Sequence, residues 1–162
     1  MADRKLLKTY ESRFGAPQGY HINQDSTQLI TKHALGAITL WDLVKRKEIV
    51  GAIVRGANNY VVVDPNGYYA STKNAVESIH YVQNDQILLF DQLDLIFNRP
   101  DKVLQGMGVA SKRTIRRYKR AYKKRLKGMG LDDKFIKKLL ESNFDSQYDY
   151  PQIFRKGQGA LQ

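Results

Sequence analysis

β-branched and aromatic residues gather into short runs in the middle of the chain, and these runs predict a small β-sheet. The runs are IVGAIV at 49–54 and YVVV at 60–63, and a D-P-N-G segment at 64–67 leads into YAS at 69–71. β-branched residues favour strands, and Asp-Pro-Asn-Gly is typical of a tight turn. The pattern predicts an antiparallel sheet of two or three strands at about residues 49–71.

On the N-terminal side of this sheet, the spacing of apolar residues predicts helices. The apolar residues of 6–14 indicate a short amphipathic helix. The polar residues 25–27 are typical N-caps and predict a helix over 29–34. Thr39 is a second candidate N-cap and predicts a helix over 41–47, which would end in three basic residues.

Helical spacing continues on the C-terminal side of the sheet. It predicts one helix over 72–79 and another over 84–97. Because the helix over 84–97 is apolar on most faces, we expect it to lie in the core or to form half of a subunit interface. Pro100 begins a short helix, and a last amphipathic helix begins at Asp132.

Composition and hydropathy narrow the class of protein. A length of 162 residues with 42% hydrophobic content suffices for one domain with a core of its own. The absence of Cys excludes disulfides and cysteine-based zinc sites. Uninterrupted runs of aliphatic or Phe residues are at most four long, against the roughly 20 residues that cross a bilayer, and the first residues lack a signal-peptide pattern. We therefore expect a cytoplasmic protein with no membrane partner.

No residue pattern points to catalysis, a cofactor or a metal ion. The sequence has no Gly-rich phosphate loop and no nucleophile elbow, and its three histidines, His21, His33 and His80, have no ligand spacing. Asp91 and Asp94 lie three residues apart, but no second acid and lysine accompany them in a nuclease-like arrangement. We expect a protein that is not an enzyme and that needs no cofactor or metal.

The positive charge of the chain is concentrated in one segment, ASKRTIRRYKRAYKKRLK at 110–127. This segment holds ten of the 27 basic residues and no carboxylate. The rest of the chain has 17 basic residues against 16 acidic ones, so this segment accounts for nearly all of the formal net charge of +11. Basicity of this kind indicates a polyanionic partner.

The same segment has the pattern of one amphipathic helix. Ser111 is a good N-cap, and four apolar residues follow at spacings of three, four and four, namely Ile115, Tyr118, Tyr122 and Leu126. This stripe predicts the face that docks on the body of the protein, while all ten cations lie on the other faces. Six pairs of cations stand at i and i+4, where repulsion costs about 0.2–0.5 kcal/mol per pair. A bound polyanion would relieve that repulsion.

The residues before and within this helix resemble a helix-turn-helix DNA-binding unit. The resemblance covers about residues 100–122 and rests on Val103-Leu104, Met107-Gly108-Val109, Thr114-Ile115 and Tyr118. It implies that the second helix lies in the major groove with its N-terminal residues at the base edges. The candidate DNA-facing residues are then Ser111, Lys112, Arg113, Arg116, Arg117 and Arg120. The spacing from Gly108 to Ile115 departs from the usual unit by one additional residue.

Arg prevails in the first half of the helix and Lys in the second half. Arg forks suit guanine edges and bidentate phosphate contacts, whereas Lys suits phosphate alone. The order predicts a base-reading end followed by a phosphate-binding end. The predicted nucleic-acid-binding residues are Ser111, Lys112, Arg113, Arg116, Arg117, Lys119, Arg120, Lys123, Lys124 and Lys127.

Together these patterns predict an α+β fold, a mostly helical single domain with a small antiparallel sheet at about residues 49–71 and a helix-turn-helix-like C-terminal part. The predicted divisions are a mixed body at 1–99, a basic helical part at 100–143 and an irregular tail at 144–162. A protein that reads a palindromic DNA site would form a homodimer, for which 87–97 is the expected interface.

Three functions are compatible with the basic helix. The first is a sequence-specific duplex DNA-binding protein, a regulator of transcription or replication of bacterial or mobile-element type. The second is a non-enzymatic inhibitor or adaptor that docks the helix on an acidic or nucleic-acid-binding surface of a partner protein. The third is a structured-RNA-binding protein, since the same cations would contact RNA phosphates.

Overall fold

An antiparallel sheet forms the first half of the chain, and helices follow it. The computed structural model describes residues 8–55, 58–78, 81–83, 86–88, 90–132 and 134–138. The six strands of the sheet are β1 (Gly19–Ile22), β2 (Gln28–Lys32), β3 (Ala37–Asp42), β4 (Lys47–Arg55), β5 (Asn59–Val63) and β6 (Tyr69–Ser71). Each strand pairs with the next one along the chain, so the sheet is an antiparallel meander.

After the sheet, the described residues form a hairpin and several helices. The strands β7 (Tyr81–Gln83) and β8 (Gln86–Leu88) pair with each other, and α1 (Phe90–Phe97), α2 (Pro100–Met107) and α3 (Lys112–Gly128) follow. Residues 34–36 and 73–78 form 3-10 helices, and residues 134–138 are helical.

The prediction of a mostly helical domain with a small sheet at 49–71 is wrong. The predicted strands match β4, β5 and β6, but the sheet has six strands and begins at Gly19. The segments predicted as helices over 29–34 and 41–47 fall on β2, β3, the start of β4 and the connections between them. Among the described residues of the predicted helix over 84–97, those of α1 are helical, whereas 86–88 form β8.

Residues 25–27, predicted as helix N-caps, lie instead in the β1–β2 turn, where the carboxylate of Asp25 accepts from the Thr27 hydroxyl at 2.8 Å. The carboxamide oxygen of Asn23 accepts from the backbone N–H groups of Thr27 at 2.9 Å and Gln28 at 2.8 Å, and these bonds close the β1–β2 turn. The carboxylate of Asp42 accepts from the N–H of Lys45 at 2.7 Å in the β3–β4 turn. Asn and Asp satisfy the same backbone donors in a turn as at a helix start, so the residue types alone do not distinguish the two.

The described part of the predicted N-terminal helix, residues 8–14, is not helical, and it packs instead on one half of the sheet. The ring of Tyr10 meets the ring of Trp41 edge to face, with centroids 5.2 Å apart. Phe14 lies over Gly51, where an added Cβ would stand 2.7 Å from the Phe14 ring. Residues 1–7 lie outside the described residues.

Thr39, also predicted as an N-cap, is a fully buried strand residue that contacts His33. The imidazole of His33 is 1% exposed and has its Nδ1 3.0 Å from the carbonyl oxygen of Gly15, so Nδ1 carries the donated proton. Its Nε2 then accepts from the hydroxyl of Thr31 at 2.9 Å, and the Thr39 hydroxyl lies 3.2 Å from the same atom. His33 is therefore a core histidine whose two ring nitrogens are both occupied.

The helices cover the other half of the same sheet. One hydrophobic cluster joins β5, β6 and the 3-10 helix at 73–78 to α1, α3 and the helical residues 134–138; its buried members are Val61, Val63, Tyr69, Ala75, Ile96, Tyr122, Leu126 and Ile136. The cluster takes residues from both sides of the boundary predicted at residue 99. The predicted tail at 144–162 lies outside the described residues. None of the helices in the described ranges has the length and apolar character needed to cross a membrane.

Candidate nucleic-acid interface

The start of α3 follows from its capping residue, as the sequence predicts. Ser111 has extended backbone angles, and its hydroxyl oxygen accepts from the backbone N–H of Thr114 at 3.1 Å. The preceding helix α2 ends at Gly108, whose φ of 71° closes the last turn through a bond from its N–H to the carbonyl of Leu104. The two helices therefore occupy the predicted positions, while the helix-turn-helix unit itself stays a prediction.

The apolar stripe of α3 is buried only in its C-terminal half. Leu126 is 2% exposed and Tyr122 is 5% exposed, and both belong to the core cluster. Ile115 is half-buried. Tyr118 is 44% exposed, so the prediction that this residue docks on the body is wrong. Helical spacing gives the correct side for Tyr118, but the sheet surface that buries Tyr122 and Leu126 does not cover its ring.

Arg99, at the start of α2, holds the ring of Tyr122 in place. Its guanidinium lies 3.9 Å from the centroid of the Tyr122 ring and donates two 2.8 Å hydrogen bonds to the carboxylate of Asp101. Asp101 is 3% exposed. Burial of this carboxylate raises its pKa, but the hydrogen bonds and positive charge of Arg99 outweigh burial and hold the pKa below its usual range.

Arg125 points inward and holds α3 to α1. Its Nη1 lies 3.2 Å from the carboxylate of Asp94, and its Nη2 donates to the carbonyl of Asn98 at 3.1 Å. The same carboxylate accepts from the Tyr69 hydroxyl and from the Asn98 side chain. The prediction that all ten cations lie on the outward faces is therefore wrong for Arg125.

Four arginines form a continuous surface on the outward side of α3. Arg113, Arg116, Arg117 and Arg120 are all exposed and line one open concave surface. With 3.6 residues per turn they fall within an arc of about 100°, opposite the side that carries Tyr122 and Leu126. We call these four residues the arginine face.

The two flanks of α3 differ in charge. By the same helical geometry, one flank carries the row Lys112, Lys119 and Lys123, while Lys127 lies between Arg116 and Arg120 in angle. The other flank carries the uncharged Thr114, Tyr118 and Ala121, together with the inward-pointing Arg125. Lys124 lies between Arg117 and Arg120 on the outward side.

The charge of the arginine face is not neutralised within the part of the chain that the structure describes. None of its four guanidinium groups forms an ion pair with a described carboxylate, and Arg116 donates through its Nε to the backbone carbonyl of Lys112 at 3.3 Å. By contrast, Arg99 and Arg125 each have a carboxylate partner. Arg125 thus positions α3 internally, whereas the arginine face points outward without a carboxylate partner among the described residues.

The predicted site residues are together on one element. Ser111 is used as the cap of α3, and the other nine lie exposed along the helix. Their role in nucleic-acid binding stays a prediction. The sequence did not predict the residues that hold α3 in place, namely Asp94, Arg99 and Asp101. Their partners are either distant in the chain or not at helical spacing. A single Arg before Pro100 forms no sequence pattern that would indicate a role in positioning α3.

Two positions depart from the helix-turn-helix resemblance. In that unit the apolar residues of the turn and of the second helix pack between the helices, yet Val109 is 69% exposed and Tyr118 is 44% exposed. Val103 of α2 does pack, at 1% exposure. The sequence also departs from that unit by the additional residue between Gly108 and Ile115.

No group of three or more His, Asp or Glu side chains could hold a metal ion among the residues that the structure describes. Comparison of the chain with protein-family models, curated proteins and solved structures found no match.

Proposed function

We propose that this protein binds duplex DNA through α3 and acts, without enzymatic activity, as a regulator of transcription or replication. The observation that carries the proposal is the arginine face: four adjacent guanidinium groups, opposite the buried side of the helix, without a carboxylate partner among the described residues. A cytoplasmic location and, for a palindromic site, a homodimer belong to the same proposal.

The dimensions of α3 suit the major groove. Its 17 residues give a length of about 25 Å at 1.5 Å per residue. A helix of about 10–12 Å diameter fits a major groove about 12 Å wide. The arginine face would then point to the base edges, where Arg forks bind guanine, while the flanking lysines would contact phosphates.

Electrostatics favour a nucleic acid over an uncharged partner. Like charges at i and i+4 destabilise the free helix by about 0.2–0.5 kcal/mol per pair, and Arg113–Arg117 and Arg116–Arg120 are two such pairs. Phosphates relieve this repulsion and release counterions from the DNA. Rigid docking through Tyr122 and Leu126 means that little order must be gained when the partner binds.

The test compares two variants of equal charge. In one, the arginine face is changed to Gln at all four positions; in the other, four exposed lysines outside α3 are changed to Gln, namely Lys8, Lys32, Lys47 and Lys73. Each variant lowers the formal net charge from +11 to +7 because four cations are lost. Binding of both variants and of the unchanged protein to labelled duplex DNA is measured by fluorescence anisotropy over a range of salt concentrations, with a random-duplex pool as competitor.

We expect the arginine-face variant to lose at least about tenfold in affinity and to have a shallower salt slope, because phosphate contacts set that slope. The lysine control should retain most of its affinity. Equal losses in the two variants would show that only the net charge matters. A preference for structured RNA would replace DNA as the partner, and absence of binding to any nucleic acid would leave the protein-inhibitor function in its place. Failure of every sequence to outcompete random duplex by about tenfold would reject sequence-specific regulation.

A further inference from the structure

We infer that the groove between α3 and the start of α2 binds an unpaired nucleobase of the DNA held on the arginine face. The inference rests on the proposed function and names a feature of its ligand: a duplex that also presents an unpaired nucleotide. The groove has a volume of about 190 Å³ and is lined by Asn98, Pro100, Tyr118, Ala121, Tyr122 and Arg125.

The walls of the groove suit a flat aromatic ligand. The Tyr118 side chain is 44% exposed at this groove, whereas Tyr122 is 5% exposed beside it. The Pro100 ring adds an apolar surface on the α2 side. Every base has a π-face that can stack on an exposed aromatic ring, and such stacking does not depend on base sequence.

Polar groups border the same groove. Asn98 donates through its side-chain nitrogen to Asp94 at 3.0 Å, and its side-chain oxygen accepts no hydrogen bond from a described residue. The guanidinium of Arg125 is held in place by Asp94. These groups form a polar border around a mainly apolar space. Such a site suits a nucleobase, whose ring faces stack on apolar surfaces and whose edges form hydrogen bonds.

The groove adjoins the arginine face through one small residue. Ala121 is exposed and stands four residues after Arg117 and three residues before Lys124. Side chains at these spacings are neighbours on a helix, with Cβ atoms about 5–6 Å apart. A phosphate bound by Arg117 or Lys124 therefore places its nucleotide beside Ala121, and the methyl side chain leaves the way to Tyr118 open.

The charges on the two flanks of α3 also favour entry of a base into the groove. The flank opposite the groove carries the lysine row, which would follow a phosphate backbone. The groove flank, with Thr114, Tyr118 and Ala121, carries no lysine. An aromatic residue at the edge of a cationic surface is the arrangement by which proteins bind unstacked bases.

The test uses two DNA duplexes that share one strand with a single 2-aminopurine, which is paired in one duplex and unpaired in the other. Affinity is measured by anisotropy, and stacking is followed by quenching of the 2-aminopurine fluorescence. We expect the unchanged protein to prefer the duplex with the unpaired base by about 5- to 150-fold, the range that stacking of one base provides.

Three variants locate this preference. Tyr118→Ala should lose both the preference and the quenching, and Tyr118→Phe should retain them because the ring remains. Ala121→Leu should lose them as well, because the larger side chain fills the approach while every cation and Tyr118 stay in place. Tyr60→Ala is the matched control: Tyr60 is 43% exposed and, by strand alternation with the buried Val61, lies on the sheet face away from α3.

The outcomes separate this inference from the proposed function. Equal affinity of the unchanged protein for the two duplexes overturns the inference alone, as does a preference that persists in both Tyr118→Ala and Ala121→Leu. Loss of preference in the Tyr60 control also overturns it, since the effect would then lie outside the groove. Absence of binding to either duplex overturns the proposed function and the inference together. Thermal melting of each variant verifies that the protein remains folded.

Discussion

Removal of the Asp101 carboxylate should destabilise the protein far more than its position at the start of a short helix suggests. Asp101 is 3% exposed and holds the guanidinium of Arg99 through two hydrogen bonds of 2.8 Å. Arg99 in turn stacks on Tyr122 and donates its backbone N–H to the carbonyl of Tyr69 at 3.1 Å. In Asp101→Ala, a largely buried guanidinium therefore remains without its carboxylate.

The expected cost follows from this burial. Breaking a buried ion pair by removing one partner costs about 3–5 kcal/mol, whereas an exposed pair is worth about 0–1 kcal/mol. The side chains of Arg99 and Asp101 are 12% and 4% exposed, so the larger figure applies. A domain has about 5–15 kcal/mol of stability in total, and this loss would be a large part of it.

Urea denaturation of four proteins measures the effect: the unchanged chain, Arg99→Ala, Asp101→Ala and the double variant. The double variant should be less destabilised than the sum of the single variants by about 1–3 kcal/mol, because the second change removes an already isolated charge. Lys102→Ala, at an exposed neighbouring position, is the control and should lie within about 0.5 kcal/mol of the unchanged protein. If Asp101→Ala unfolds at the same urea concentration as Lys102→Ala, the pair contributes nothing and our reasoning is refuted.

The pH dependence gives a second measurement of the same pair. The pKa of Asp101 is lowered in the folded protein by Arg99, so its stabilising contribution is fully present above the unfolded pKa of about 3.9 and disappears as pH falls through the folded pKa. The difference in free energy of unfolding between the unchanged protein and Asp101→Ala should therefore be constant near neutral pH and decrease below about pH 4. A difference that grows with acidity would mean that the carboxyl is not ionised in the folded state.

Three further predictions concern α3. Leu126→Ala should cost about 2–5 kcal/mol in chemical denaturation because the residue is 2% exposed, while Tyr118→Ala, at 44% exposure, should cost about 1–2 kcal/mol; equal costs would contradict the burial described. Ser111→Ala should lower the free energy of unfolding by about 0.5–2 kcal/mol through loss of the cap, and Ser111→Asn should restore it. Lys124→Ala should weaken binding to all duplexes alike and reduce the salt slope by about one unit, and dependence of its effect on sequence would exclude a pure phosphate contact.

The basic helix was predictable from sequence because its signals are local. Ser111 caps α3 by a bond to a residue three positions on, and helical spacing alone identifies the side that carries Tyr122 and Leu126. The arginine face needs no tertiary information either, since residues at i, i+3, i+4 and i+7 are neighbours on any helix. The candidate site could therefore be predicted even though the fold around it was not.

The strands β2 and β3 were missed because their signals are shared with helices. Each contains Thr and short apolar runs preceded by Asn, Asp or Thr, which occur at both helix N-caps and β-turns. The difference depends on distant partners: Ile30 lies opposite Leu40, and Thr39 is opposite Gly51 in the next strand. Residue spacing within one segment contains no information about such pairing, and tertiary contacts decide between the two structures.

At Tyr118, helical periodicity does not predict burial. The position of this residue relative to Tyr122 predicts the same side of α3, but burial also requires a partner surface, and exposure rises from 2% at Leu126 and 5% at Tyr122 to 44% at Tyr118. The helix thus extends past the sheet surface that anchors it, toward its own N-terminus. An aromatic ring that the core does not cover then lies next to Arg117 in the chain, about 100° around the helix from it. Exposure of a large ring has a solvation cost, and a stacked base would offset that cost without moving the helix.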